Sequence, residues 1–418
     1  MKRVLSASLV ILSAFICVSN SYAKEKAEES VSYTSFNPAE ILLDNNGVHL
    51  NAHGAGVLFD KGKYYMVGEH KVAGSLGNKA MVGVHCYSST DLYNWTDEGI
   101  ILEMSQEPNS PIIVGTILER PKIIFNEKTN KYVMFMHIES RKGETAKSPK
   151  LEDIINEKPN YLSAKVGIAI SDKITGPFEF VRMLRPQAGV YPINEKENLI
   201  ALEKELNEKD ANWKQNYLQK NSAKLKSNLD KNLIGKGLYF LRDFKEGQMA
   251  RDMTLFIDDD GKAYYACSSE ENSTLHIHEL TDDYQDFSGN FVRVLHKQFH
   301  EAPAFFKRNG KYYMFSSHCT GWRPNAGRVS SCDKMLGDWK ELGNPCRGTK
   351  EEMATTFKSQ STAIIKVEGL DDAFIYLGDR WTPDNAIDGR YLFLPVEWEG
   401  EMPIIKWYKT WDLSKFTK

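Results

Sequence analysis

What this sequence does without narrows it before any motif is read. Past Ala23 there is no apolar run long enough to cross a bilayer. The net charge is only −3, so there is no one-signed field of the kind that recruits nucleic acid or another polyanion. Cysteine is sparse. Five remain after residue 23, namely Cys86, Cys267, Cys319, Cys332 and Cys346, and none stands in a C-x-x-C pair. An odd, unpatterned set excludes a disulfide framework and a cysteine metal site. One pair stays open, with Cys319 and Cys346 nearest, and the others are expected as small buried hydrophobes.

The exception to the missing apolar run is the N-terminus. Met1-Lys2-Arg3 is positive, Val4 to Val18 is almost unbroken apolar sequence, and Ser21-Tyr22-Ala23 places small residues at a cleavage site. This predicts a signal peptide over 1–23, cleaved after Ala23, with export to a periplasm or the outside. Cys17 follows Phe15 and Ile16, not the small residues of a lipid-attachment site. The remaining residues, 24–418, are expected to be one large β domain.

A hairpin recurs five times: at 56–70 (GVLFDKGKYYMVGEH), 122–137, 254–269, 304–317 (AFFKRNGKYYMFSS) and, more loosely, 363–379. Each unit has an apolar strand, a polar turn rich in Asp, Asn, Gly and Lys, and an aromatic-bearing strand. Four units continue into another strand, a Ser/Asp-rich turn and an aromatic, and the last ends in strands. Five sets of about four strands predict an all-β, five-bladed β-propeller. Tyr64, Tyr65, Tyr312 and Tyr313 read as blade packing. The segment DDDGK (258–262) lacks the later Glu of a calcium loop and reads as a tight hairpin turn.

Spacing is longest between the second and third units. The excess lies around 141–160 and 187–246. Leu199, Leu202 and Leu206 stand near helical spacing, so a helical or irregular excursion is expected there. It is either a solvated insertion or a loop that shapes a pocket.

Every unit opens with a polar group ahead of its apolar strand: His53, Glu119, Asp252, Glu301 and Gln360. One such residue is an ordinary strand-edge charge. Five, at the same place in five radially arranged blades, predict a shared polar site at the channel mouth. Paired carboxylates in such a site suit glycoside hydrolysis, where one stays protonated to donate to the leaving oxygen.

These stretches together resemble glycoside hydrolase family 43, and within it the exo-β-1,3-galactanase branch. The resemblance rests on AHGAGVLFDKGKYYMVGEHK, ERPKIIFNEKTNKYVMFMH, RDMTLFIDDDGKAY, HEAPAFFKRNGKYYM, CTGWRPNAGR and FKSQST followed by GDRW. It covers nearly all of 51–410 outside the two insertions. It implies an inverting enzyme with Glu301 as general acid and Asp252 as the acid that modulates it. The family's usual base, an Asp before the first strand, is missing from NAHGAG. The galactanase branch shares that absence, and there Gln360 matches a glutamine thought to act as base through its imidic-acid tautomer. Glu119 matches a substrate-contacting glutamate, and Glu69 is a further pocket candidate and alternative base.

Trp322 and Trp381 are expected as sugar-stacking platforms, with core packing the competing role. Arg380 would bind a hydroxyl or orient Glu301, and Arg120 and Arg251 would keep neighbouring acids ionised. No cofactor is required, although the resemblance leaves room for a structural calcium. The expected partner of this monomer is an oligo- or polysaccharide, arabinogalactan backbone included. An α-L-arabinofuranosidase, β-galactofuranosidase or β-xylosidase on the same scaffold is the alternative. A glycan-binding propeller without catalysis is the alternative of another class.

Overall fold

The computed structural model describes residues 32–214 and 231–417. The 1–23 signal segment lies outside them. No helix among the described residues is long and apolar enough to cross a membrane.

Five antiparallel sheets are strung along the chain. Their first strands are His53–Asp60, Ile117–Asn126, Arg251–Ile257, His300–Arg308 and Gln360–Lys366. Each runs inner to outer in chain order, because each turn is a tight reversal. At 258–262, for example, Asp258 and Lys262 close a turn through Gly261, at φ +79°. The fifth sheet gains one short strand, Cys346–Arg347, which pairs parallel to Met402–Lys406. The five inner strands adjoin one another in sequence, and the fifth adjoins the first. That closed ring is a five-bladed β-propeller.

Alternation along each strand gives every blade two apolar faces, and each interface between blades becomes its own core. Val67, Ile123 and Met134 pack between blades one and two, and Phe135, Met253 and Tyr265 between two and three. Between blades five and one, Tyr64, Ile375 and Phe393 meet Phe36 and Trp411. Phe36 and Trp411 also form a backbone bridge, with N–H···O distances of 2.7 and 3.1 Å. Tyr64, Tyr312 and Tyr313 are buried in these cores, and Tyr65 packs against one.

All five cysteines of the described residues are free thiols. The Cys319–Cys346 pair does not form. Cys346 is buried between blades four and five, while Cys319 turns to the carbonyl of Phe299.

The excursion between blades two and three is helical. Leu199, Leu202 and Leu206 fall on one buried face of the helix Lys196–Lys209 and pack with Trp213, Phe240 and Phe291. Phe291 belongs to the outer strand of blade three, so the insertion clamps that edge. A buried ion network fixes the clamp. Arg293 holds Glu270 through two bonds of 2.6 and 2.9 Å and also binds Glu195 of the insertion. No described residue of 187–246 lines the cavities at the channel mouth.

One irregularity positions the chemistry. Each inner strand slips register at its start, after His53, Glu119, Arg251, Glu301 and Ser361. In four blades a residue in the left-handed region sits there: Gly54, Arg120, Asp252 and Ala302, with φ between +31° and +60°. Such a bulge bends the strand and re-aims the side chains beside it.

Candidate active site

The bulges bring Glu69, Glu119, Arg120, Arg251, Asp252, Glu301, Trp322, Gln360 and Trp381 to one cavity of about 210 Å³. Arg380 lines an adjoining cavity of about 290 Å³ that shares Gln360, Trp322 and Trp381. His53 reaches neither. It is fully buried, stacked on Tyr391 at 5.1 Å with Nδ1 3.4 Å from Asp379. Nor does Arg380 orient Glu301: it donates to Phe357 O at 2.6 Å instead. A larger cavity, of about 360 Å³, lies among inner-strand residues such as Leu58, Phe256 and Ile365, and none of the site carboxylates lines it.

Glu301 pairs in register with Ser317, and its carboxylate accepts from Asn272 Nδ2 at 2.7 Å. Burial pushes its carboxyl up, and the negative charge of Asp252 adds to this, to about 7. Asp252 accepts from the Ala302 N–H at 3.1 Å and lies 3.3 Å from Arg120 Nε. Two buried carboxylates thus influence each other, and Glu301 holds its proton near neutrality.

Glu119 has the opposite character. Burial disfavours its charge, but a 3.1 Å bond from His137, the charge of that ring, and Arg251 and Lys71 outweigh it and hold the carboxyl down at about 2. His137 is buried, which opposes its charge, yet its bonds to Glu119 and Glu139 raise it to about 9.

Gln360 is fixed at both polar atoms. Oε1 accepts from Arg120 Nη2 at 2.6 Å and Trp381 Nε1 at 3.1 Å, and Nε2 donates to Ser317 Oγ at 2.9 Å. Arg and Trp can only donate, so the oxygen must face them. Both acceptor positions of Oε1 are filled. Arg120 also donates its backbone N–H to Glu69 Oε1 at 2.9 Å, while Glu69 pairs with Lys71.

Trp322 is 45% exposed and meets Trp381 edge-on at 5.7 Å. These rings line the cavity and belong to no core cluster, whereas Trp95 and Trp339 are buried. Core packing is therefore not the role of either ring.

Register corrects the sequence on one point. His53, Glu119, Glu301 and Gln360 are equivalent positions, paired to Glu69, His137, Ser317 and Asp379, each three residues before regular pairing resumes at Gly56, Lys122, Ala304 and Ala363. In blade three it resumes at Met253, so the same count gives Ala250, and Asp252 stands two steps on, in the left-handed position. Sequence reading missed Lys71, Tyr161, Asn272, His137 and Ser317. His137 and Ser317 stood opposite Glu119 and Glu301, so pairing the hairpins residue by residue would have found them. Tyr161 follows the first insertion and stacks under Arg251 at 4.3 Å, without any local signal.

The group of possible metal ligands found among the described residues is Glu119, His137 and Asp252. It does not fit a calcium. Both ring nitrogens of His137 are turned to carboxylates, a doubly bonded imidazolium has no lone pair to give, and Arg120 already balances Asp252.

The sequence pattern of the glycosyl hydrolases family 43 matches residues 238–403. A solved family 43 β-1,3-galactosidase, in complex with galactodeoxynojirimycin, is 40% identical, with a TM-score of 0.77 over 90% of this chain and 100% of that one. A second family 43 β-1,3-galactosidase is 32% identical, with a TM-score of 0.70 over 92% of this chain and 65% of its own. An exo-β-1,3-galactanase from Clostridium thermocellum is 27% identical, with a TM-score of 0.65 over 90% and 66%. A curated β-D-galactofuranosidase from Aspergillus niger is 27% identical over 147 residues, and the match spans 41% of that relative and 34% of this chain. With the closed ring of five blades and the carboxylate-lined cavity at its mouth, these likenesses establish that the chain belongs to glycoside hydrolase family 43 and is a glycoside hydrolase.

Proposed function

We propose that this enzyme is an inverting exo-glycosidase that releases galactose from β-1,3-linked galactan, such as an arabinogalactan backbone. The observation that carries the mechanism is the pair Glu301 and Asp252: a buried carboxyl raised to about 7 beside a carboxylate held by Arg120. In this reading Glu301 donates its proton to the glycosidic oxygen as the C–O bond breaks. Its Oε1 accepts from Asn272, which leaves Oε2 to carry the proton. Asp252 keeps Glu301 protonated and fixes the turn at Ala302. Water attacks from the opposite face of the sugar, with inversion.

Gln360 is assigned to that water. As an amide it can hold the water only through its second Nε2–H, because its oxygen is already filled by Arg120 and Trp381 and its first N–H is given to Ser317. To act as a base through the imidic form it must first give up one of those donors. Glu69 and Glu119 are the alternative bases. Glu119, Arg251 and the two tryptophans hold the sugar. The galactan preference draws on the two β-1,3-galactosidases and the galactanase named above, and export draws on the sequence of residues 1–23. The match to a β-D-galactofuranosidase favours a second reading, galactofuranoside hydrolysis on the same site.

The test is product release from linear β-1,3-galactooligosaccharides, with Glu301→Gln and Gln360→Ala alongside. Stepwise release of galactose by the wild type, with both variants slowed at least about a thousandfold, is expected. Substantial activity in Gln360→Ala would move the base to Glu69 or Glu119. Release only from galactofuranosides would install the second reading.

A further inference from the structure

The charges around the two joined cavities are unevenly distributed. Every described arginine outside them has a carboxylate oxygen within 4.0 Å. Arg251, Arg323 and Arg380 have none among the described residues, and all three line these cavities. Arg251 is accounted for, because it sits in the field of Asp252, Glu301 and Glu119. Arg323 and Arg380 are not. Arg380 spends one nitrogen on Phe357 O, its Nε is buried without a partner, and its cationic form is disfavoured by burial and by Arg390. Lys358 adds a third cation to the same wall, shared with exposed Glu351. Among the described residues no carboxylate side chain lines the 290 Å³ cavity, whereas the 210 Å³ cavity beside it holds four, Glu69, Glu119, Asp252 and Glu301, facing Lys71, Arg120 and Arg251.

Resting on the glycosidase reading above, we propose that the second cavity is a subsite for an anionic sugar: it takes the carboxylate of a uronic acid residue on the glycan. The sorting is electrostatic. In the cavity where a neutral sugar undergoes cleavage the cations are matched by acids, whereas a carboxylate-bearing sugar meets unopposed positive charge in the one next to it. The fork of an arginine matches a carboxylate and supplies charge-assisted hydrogen bonds. Trp322 and Trp381, common to both cavities, offer apolar faces to the sugar rings between them. The wall that presents Lys358 is set in place. Thr356, Phe357 and Lys358 are all left-handed, with φ between +50° and +62°, and are pinned by Arg380 to Phe357 O and by Thr356 Oγ1 to Asn325 O at 2.7 Å.

The experiment compares a β-1,3-galactooligosaccharide carrying a glucuronic acid branch with the same compound after its carboxyl is reduced to an alcohol. KM for the acid-bearing compound should be roughly tenfold the lower, as expected for one charge-assisted pair. The ratio should shrink as salt rises, and Arg323→Gln should collapse it toward one. Arg380→Gln should do the same, and exposed Arg323 covers the case in which Arg380→Gln fails to fold. Equal or weaker use of the acid-bearing compound by the wild type, or a ratio that Arg323→Gln leaves unmoved, overturns the subsite. Hydrolysis of neither compound instead overturns the galactan reading. Calorimetric titration of the acid-bearing compound into Glu301→Gln then decides the subsite alone: binding weakened by a further Arg323→Gln upholds it, and no binding or no weakening refutes it.

Discussion

A proton donor needs surroundings in which its charge is unwelcome, and Glu301 has them. Its carboxyl stays protonated up to about 7 because burial and the Asp252 charge both oppose ionisation. The donor form is therefore lost as pH rises through 7, and kcat/KM should fall there. Asp252→Asn removes the neighbouring charge, so that limb should move to lower pH, with lowered activity throughout; a limb left in place assigns the shift to burial alone. The same group also couples stability to pH. A carboxyl raised in the folded chain stabilises it fully below its ordinary range, and that contribution disappears as pH climbs through about 7. Above that point the ionised group costs about 3 kcal/mol relative to an unperturbed glutamate. Glu301→Gln is neutral at every pH. It should melt higher than the wild type at pH 8, with the difference closing toward pH 4 in scanning calorimetry. No difference at pH 8 would contradict the raised carboxyl.

At the scale of the element, the bulge governs both stability and chemistry. Gly54 is left-handed at φ +60°, and a Cβ there would lie 2.4 Å from Glu69 Oε1. Gly54→Ala should cost about 1–3 kcal/mol in urea unfolding and reduce kcat/KM, because Glu69 has to move. Ala302 holds a similar φ, +54°, with a side chain. Ala302→Gly should therefore be far less costly, and equal losses in the two would count against backbone strain as the cause. The bulge also explains what the sequence could and could not convey. Hairpins were legible because turn chemistry and alternation are local, and so was the helix face of Leu199, Leu202 and Leu206. Asp252 was aligned with Glu301 although register aligns Ala250, since an inserted residue is invisible to counting by twos. His53 read as a site residue by position, yet its ring turns to Tyr391. Asn272 was illegible because its turn, Glu270 to Asn272, is left-handed at three ordinary residues and is held by contacts distant in sequence, Arg293 to Glu270 and Arg242 to Glu271.

For the whole molecule, the ring is only as strong as its joint. Blades one and five meet through packing, buried hydrogen bonds such as Gly54 N–H to Asp379 at 2.7 Å, and the Phe36–Trp411 bridge, with the two rings 4.4 Å apart. Trp411→Ala removes that stack and a 2.8 Å bond to Phe393 O, and should lower stability by about 3–5 kcal/mol. Trp339→Ala, a similar loss between blades three and four, gives the control. If closure matters beyond local packing, Trp411→Ala should also broaden the thermal transition, and superimposable transitions would remove that distinction. The repeated bulge has a last consequence, for how such a molecule changes over generations. Three of its equivalent mounts, Glu119, Glu301 and Gln360, face the cavity, while a fourth, His53, is sealed into the scaffold. Variation confined to those three positions would rewrite the reaction while the blades keep their register, and a small combinatorial library there would sample new catalysts without sampling new folds.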